Sequence, residues 1–216
     1  MAMRGLVFGV VILFSLMSWA TSTRADNVLL TNSNGMLEGF NIPSDLQPPA
    51  GHKLKAAYYA EGLHHYTFNG SSWVLYNATA TLYSVEGRLN ASLLEKASGR
   101  KMLQEQDPMG QRTAVGDHFF LAHVDPTGGR PTWETLLPAY SSVTGRYEKS
   151  VRADPRSFEW SLLRATRLKG SGDIFGDIQY IQCLATTGGL PPSISFGAQF
   201  WNVHVSPYSA VYAFYR

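Results

Sequence analysis

Residues 208–215 read YSAVYAFY, one position short of the end of the sequence. In an extended chain Tyr208, Ala210, Tyr212 and Phe214 fall on one side, and Ser209, Val211, Ala213 and Tyr215 on the other, because successive strand side chains alternate between faces. A chain that ends on such a strand needs it to complete a sheet. Working outward, similar apolar and aromatic runs recur upstream: KAAYYAEGLHHYTF (55–68), SWVLY (72–76), ATLYSV (80–85), HFFLAHV (118–124) and PTWETL (131–136). Turn residues separate them, with NGS (69–71) between the first two. This spacing predicts an all-β, single-domain sandwich or barrel of short antiparallel strands.

Three stretches depart from that pattern. Residues 90–104, NASLLEKASGRKMLQ, place a good N-cap, Asn90, before Leu93, Leu94 and Ala97 at helical spacing, and predict one short helix. EQDPMGQRTAVGD (105–117) reads as a polar loop. DPRSFEWSLLRATRLKG (154–170) is ambiguous. Phe158, Leu162, Ala165 and Leu168 make a helical stripe, whereas Trp160, Leu162 and Thr166 suit a strand face, and periodicity alone favours the helix.

The N-terminus has a different character. A short basic start, Met1–Arg4, precedes an uncharged apolar run, Gly5–Trp19, and then SWATSTRADN. This is the layout of a secretory signal peptide over residues 1–25, with small residues allowing cleavage after Ala20 or Ala25. Residues 26–45 are expected to form an extended arm, and 46–216 a single β domain. Cleavage after Ala25 removes Arg4 and Arg24 and leaves 16 basic residues facing 16 acidic ones. A neutral mature chain offers no electrostatic case for nucleic acid or an anionic membrane, and no later segment would insert in a bilayer. Three sequons, at Asn69, Asn77 and Asn90, are expected to mark exposed, glycosylated turns in a eukaryotic secretory pathway.

Catalytic signals are sparse. Cys183 stands alone in DIQYIQCLATTGGLPP (177–192), with no His within fifteen residues. A nucleophilic thiol needs a base and a lowered pKa, so DIQYIQC reads as a core strand and TTGGLPP as its turn. Six histidines form no H-E-x-x-H motif, and no metal site or cofactor is expected. The residues best placed for acid/base work are His123, Glu134 and Asp154, with Asp125 and Glu159 nearby in sequence. Aromatic residues are abundant, and Trp133, Trp160 and Tyr208 are the candidates for stacking on a ligand.

Several segments occur together in order: PPAGHKL (48–54), GLHHYTFNGSSW (62–73), HVDPTGGRPTWE (123–134), VRADPRSFEWSLLRA (151–165), GSGDIFGDIQYIQCLATTGGLPP (170–192) and PYSAVYAFY (207–215). In these the chain resembles a family of secreted bacterial, fungal and plant proteins catalogued as a domain of unknown function. The resemblance covers about residues 46–215. It implies that 159–169 is a strand paired with 174–186, which tips the ambiguous segment away from helix. Some members carry a malate dehydrogenase label. Gly170, Gly172 and Gly176 give G-x-G-x-x-x-G, but a β-rich run follows where a dinucleotide fingerprint requires a helix. Phe68 stands where many members have Cys, and SFGAQF (195–200) where they have Gly-Cys.

The resulting expectation is a secreted, extracellular or cell-wall protein acting as a non-catalytic binding module, with carbohydrate or a cell-wall component as its partner. The alternatives are a secreted enzyme with a polar pocket around His123 and Glu134, and a structural wall or matrix component.

Overall fold

A computed structural model describes residues 37–85, 89–90, 112–135, 138–170, 174–193 and 197–216. Its strands are β1 (Leu37–Glu38), β2 (Leu54–Phe68), β3 (Trp73–Val85), β4 (Leu89–Asn90), β5 (Arg112–Phe120), β6 (Pro131–Thr135), β7 (Ser141–Val151), β8 (Trp160–Gly170), β9 (Tyr180–Gly188) and β10 (Val203–Tyr215). A 3-10 turn spans Ser44–Leu46. Eight strands close into one antiparallel barrel in which β2, β3 and β5 to β10 each pair with the next, and β10 returns to β2. This is an up-and-down barrel, the architecture that removes every sheet edge by closure. The expected all-β class holds, and of the two architectures the barrel is the one formed.

The C-terminal strand performs the closure read from YSAVYAFY. Tyr212 lies opposite Tyr58 of β2 on one side and Cys183 of β9 on the other. Tyr208, Ala210, Tyr212 and Phe214 point into the barrel; Val211 points out and is nonetheless buried. Its cover is the N-terminal segment. Leu37, Phe40 and Ile42 pack on the outer-wall cluster of Tyr59, Leu184 and Val211, beside Trp160. Leu46 is fully buried, and its carbonyl accepts a 2.6 Å hydrogen bond from Gln182 Nε2.

An eight-stranded barrel has an interior just wide enough for its own side chains or one small ligand. Here small residues alternate with large ones. Ala60, Gly62, Ala78, Ala80 and Ala210 leave room for Trp133, His118, Tyr212 and Phe214. A Cβ on Gly62 would run into the backbone at Thr79 and Ala80 of the neighbouring strand. Trp133 is 1% exposed and stacks on His118 at 4.7 Å, with the Tyr212 and Phe214 rings edge-on to it.

Several local expectations change. The strands are long: β2 runs for 15 residues, and β3 joins SWVLY and ATLYSV without a break. The supposed loop over 105–117 is strand from Arg112 onward, whereas HFFLAHV leaves the sheet after Phe120. Segment 154–170 is a turn followed by β8, with Ser161 opposite Cys183 and Leu163 opposite Ile181. Its partner begins at Tyr180 and not at 174. Ile174, Phe175 and Ile178 fold inward instead, and the Phe175 ring reaches Phe214 at 4.7 Å, filling the end of the barrel. The helix expected over 90–104 lies outside the described residues except for Asn90, which ends β4.

Candidate binding site at the barrel mouth

Strand direction sorts the connections. The β2–β3 turn, the β5–β6 loop, the β7–β8 turn and the β9–β10 connection all emerge at one end of the barrel. At that end a pocket of about 450 Å³ opens between the tops of β2, β7 and β8 and the start of the β9–β10 connection. That volume lies within the range of small-molecule sites.

Aromatic rings form its floor. Tyr66 comes from β2, Tyr147 from β7 and Phe158 from the residues that lead into β8. Glu148, Lys149, Ser150, Arg152, Glu159, Ser161, Leu190 and Pro191 complete the wall. The two acidic and two basic side chains balance. One of each also pairs across the rim: Arg152 Nη2 lies 3.6 Å from Glu159 Oε1, and Ser150 Oγ donates to Glu159 Oε2 at 2.5 Å. The site is therefore aromatic below, hydroxyl-bearing on its wall and neutral in sum.

The floor is fixed from beneath. Gly188 and Gly189 have φ of +68° and +70°, the left-handed conformation that favours glycine, as TTGGLPP suggested. That turn delivers the Gly189 carbonyl into the barrel. It accepts from Tyr66 Oη–H at 2.5 Å and from His64 Nδ1–H at 2.9 Å. A Cβ on Gly189 would press on Phe158, His64 Nδ1 and Tyr208 at 2.8–3.0 Å, so the close approach also requires glycine. The His64 ring packs against Phe158 and Tyr208, with centroids at 4.6 and 4.2 Å. Below it the Tyr208 and Tyr212 hydroxyls meet at 3.2 Å.

Burial keeps this interior uncharged. Desolvation pushes the His64 pKa down to about 4, only partly offset by its bond to Gly189. The same cause pushes His118 down to about 3, against the opposing effect of its bond to the Thr132 carbonyl. Desolvation also drives the Tyr208, Tyr212 and Cys183 groups upward. Tyr147 spans the two environments. The residue is 55% exposed, yet desolvation raises the pKa of its hydroxyl, and Cys183 and Tyr66 add to the rise.

The residues singled out in the sequence lie elsewhere. His123 is exposed in the β5–β6 loop. Glu134 is half-buried on the outer wall, because Trp133 beside it points inward. Asp154 is held in the β7–β8 turn by Arg156, at 3.0 Å, and hydrogen bonds from Arg156 keep its carboxyl below the usual range. None of the three lines the pocket. Glu159 does reach the pocket rim, while Asp125 organises its own loop through Thr127, Gly129 and Thr166. Of the aromatic candidates, Trp133 is in the core, Trp160 is on the outer wall beneath the N-terminal segment, and Tyr208 is buried one layer below the pocket floor. Among the described residues, no three His, Cys, Asp or Glu side chains are grouped to hold a metal.

The family described as a protein of unknown function (DUF3455) matches residues 49–216. The chain belongs to the DUF3455 family. The match begins shortly before β2 and takes in the whole barrel, including every residue of the pocket. The segment that covers the outer wall, from Leu37 to Leu46, precedes it. No curated protein and no solved structure matches the chain. Sequence reasoning missed Tyr66, Tyr147 and Phe158. Tyr147 lies in GRYEKS (145–150), outside the strands expected from the sequence. The available signal was the alternation of Val143, Gly145 and Tyr147.

Proposed function

We propose that this DUF3455 protein is a secreted, non-catalytic binding barrel that takes a compact, neutral, hydroxylated ring, a sugar unit or a phenol, in the pocket at its mouth. The observation that carries this reading is the floor of Tyr66, Tyr147 and Phe158 fixed under a wall with balanced charge. Flat aromatic faces stack on the C–H face of a sugar or on a phenol ring. Ser150, Ser161 and the Arg152–Glu159 pair supply directional partners for hydroxyls without favouring an ion. Few polar groups placed around an apolar floor are typical of small-molecule sites. Secretion rests on the apolar leader at 5–19 and the small residues that follow it, and the extracellular or cell-wall location follows from it. An enzymatic role for His123 and Glu134 has less support, because neither lines the pocket.

Calorimetric titration of the secreted protein with methyl β-glucoside and with p-cresol tests the reading. Saturable binding of at least one, lost in Tyr147→Ala and weakened in Phe158→Ala, is expected. Absence of binding by both probes, or binding that survives both substitutions, refutes it.

A further inference from the structure

The N-terminal segment covers one part of the outer wall, but the wall near the mouth carries a different apolar face. Val203 and Val205 of β10, Leu63 of β2, and Val74 and Tyr76 of β3 are exposed there, with Phe200 and Trp201 beside them. Strand register makes them neighbours. Val203 is opposite Thr67, and Thr67 is opposite Val74. Val205 is opposite His65, whose ring lies 6.1 Å from that of Tyr76. Trp201 is 71% exposed although its φ is +69°, a conformation that strains a bulky residue. It is held there because its N–H donates to the Phe68 carbonyl at 2.9 Å, while Phe68 N–H donates to Asn202.

From their fractional exposures, the seven side chains present on the order of 700 Å² of surface, more than the few hundred Å² typical of a monomer. None of these residues, nor His65 or Thr67, carries a charge, and the Arg130 guanidinium beside them donates to the Tyr76 carbonyl. The face therefore suits a neutral, partly apolar cover.

Two sequons open onto it. On a strand, the Asn and Thr of N-x-T share one face and the middle residue takes the other. Asn77 is opposite His65 and Thr79 is opposite Leu63, both on the outer face, while Ala78 is buried inside. Asn77 Oδ1 accepts the Phe120 N–H at 3.3 Å, which leaves Nδ2 for modification. Asn69 is similar. Its Oδ1 accepts from Ser71 and Ser72, and a Cβ on Gly70 beside it would lie 3.1 Å from the Phe200 ring. Asn77 thus sits in a strand and not in the turn expected for it, which does not block glycan transfer to a nascent, unfolded chain.

We propose that the chain's own N-linked glycan at Asn77 lies on this apolar face and keeps it from self-association. The sugar core is uncharged, and its C–H faces and acetyl methyl groups fit Tyr76, Val74, Leu63 and Val205. The proposal rests on the secretory reading above.

The test uses the full chain made in a eukaryotic secretory host. Glycopeptide mass spectrometry should find Asn77 occupied, and light scattering should find a monomer. Thr79→Ala removes the sequon but keeps the Asn77–Phe120 bond. That variant, and wild-type protein digested with a glycosidase under native conditions, should both bind more of the dye ANS and shift from monomer to dimer mass. Thr79→Ser should behave as wild type. An unoccupied Asn77 in a chain glycosylated at Asn69 or Asn90 overturns this proposal alone. So does an occupied Asn77 whose sugar can be removed with no change in dye binding or mass. A glycosylated wild type that is already a dimer assigns the face to a second copy. Protein retained in the cell with none of the three asparagines modified contradicts the secretory reading together with this one.

Discussion

Acid should destabilise this barrel progressively as the pH falls from 6.5 toward 4, because two buried histidines must remain neutral for it to fold. His64 is 5% exposed and His118 is 3% exposed. Each donates Nδ1–H to a backbone carbonyl, Gly189 and Thr132 respectively. Burial lowers their pKa from 6.5 to about 4 and about 3. The unfolded chain therefore takes up protons near pH 6.5, and the folded chain does so only near pH 4 and below. Their contribution to stability is complete above pH 6.5 and is lost as pH falls toward the folded values. At 1.36 kcal/mol for each pH unit, acidification to pH 4 removes on the order of 3 kcal/mol per histidine. Together that rivals the 5–15 kcal/mol of a typical domain (order of magnitude). Asp125 does not interfere in this window. Burial tends to raise its pKa, but hydrogen bonds from Thr127, Gly129 and Thr166 hold it down to about 2, so its stabilising effect persists until the pH falls below 3.8. Urea denaturation followed by tryptophan fluorescence at pH 7, 6, 5 and 4.5 measures the loss. His118→Asn keeps a donor for Thr132 and should show a shallower pH dependence from a lower starting stability. Equal unfolding free energies at pH 7 and pH 5, or undiminished acid sensitivity in a His64→Asn, His118→Asn double variant, would refute the reasoning.

The remaining predictions concern the core and the outer wall. Trp133→Ala should cost about 3–5 kcal/mol in urea denaturation, because its site has little room to collapse around the lost ring; a loss below about 1 kcal/mol would show that the barrel repacks. Gln182→Leu leaves the Leu46 carbonyl and the Tyr215 hydroxyl without their 2.6 Å partners, so it should cost about 1–3 kcal/mol and speed amide exchange across 37–46. Unchanged exchange there would mean that apolar packing alone holds the segment. Cys183 is buried and its thiol pKa is driven up by desolvation; it should resist Ellman's reagent at pH 8 in the native protein and react after denaturation, and rapid native labelling would contradict its placement.

The fold was legible where alternation was clean. YSAVYAFY and KAAYYAEGLHHYTF have one face that must be buried, so their strand character survives without knowledge of their partners. Segment 154–170 was not legible from periodicity. Trp160 packs on the outer wall beneath the N-terminal segment and Leu162 is buried opposite Gln182, while Ser161 and Leu163 fill the interior. A strand buried on both faces loses its period of two. Arg112–Asp117 read as a loop for a related reason: Gly116 sits where a side chain would meet the Glu134 backbone of the next strand, so close packing there demands a residue with no apolar signature. The pocket was the least visible feature. Tyr66 and Tyr147 are brought together only by barrel closure, and Tyr147 follows a bulge between Thr144 and Gly145 that shifts its register. His123, Glu134 and Asp154 were attractive because they lie among turn residues in recurring segments, but alternation beside a core tryptophan sends Glu134 outward.

Aromatic NMR locates where a proposed ligand enters the barrel. Tyrosine and phenylalanine ring resonances of the protein would be followed while methyl β-glucoside or p-cresol is added. Saturable shifts are expected in Tyr66, Tyr147 and Phe158, with the rings of Tyr58 and Phe175 at the far end unmoved. Shifts confined to Tyr76 and Phe200 on the outer wall, or no shifts at all, would contradict entry at the mouth.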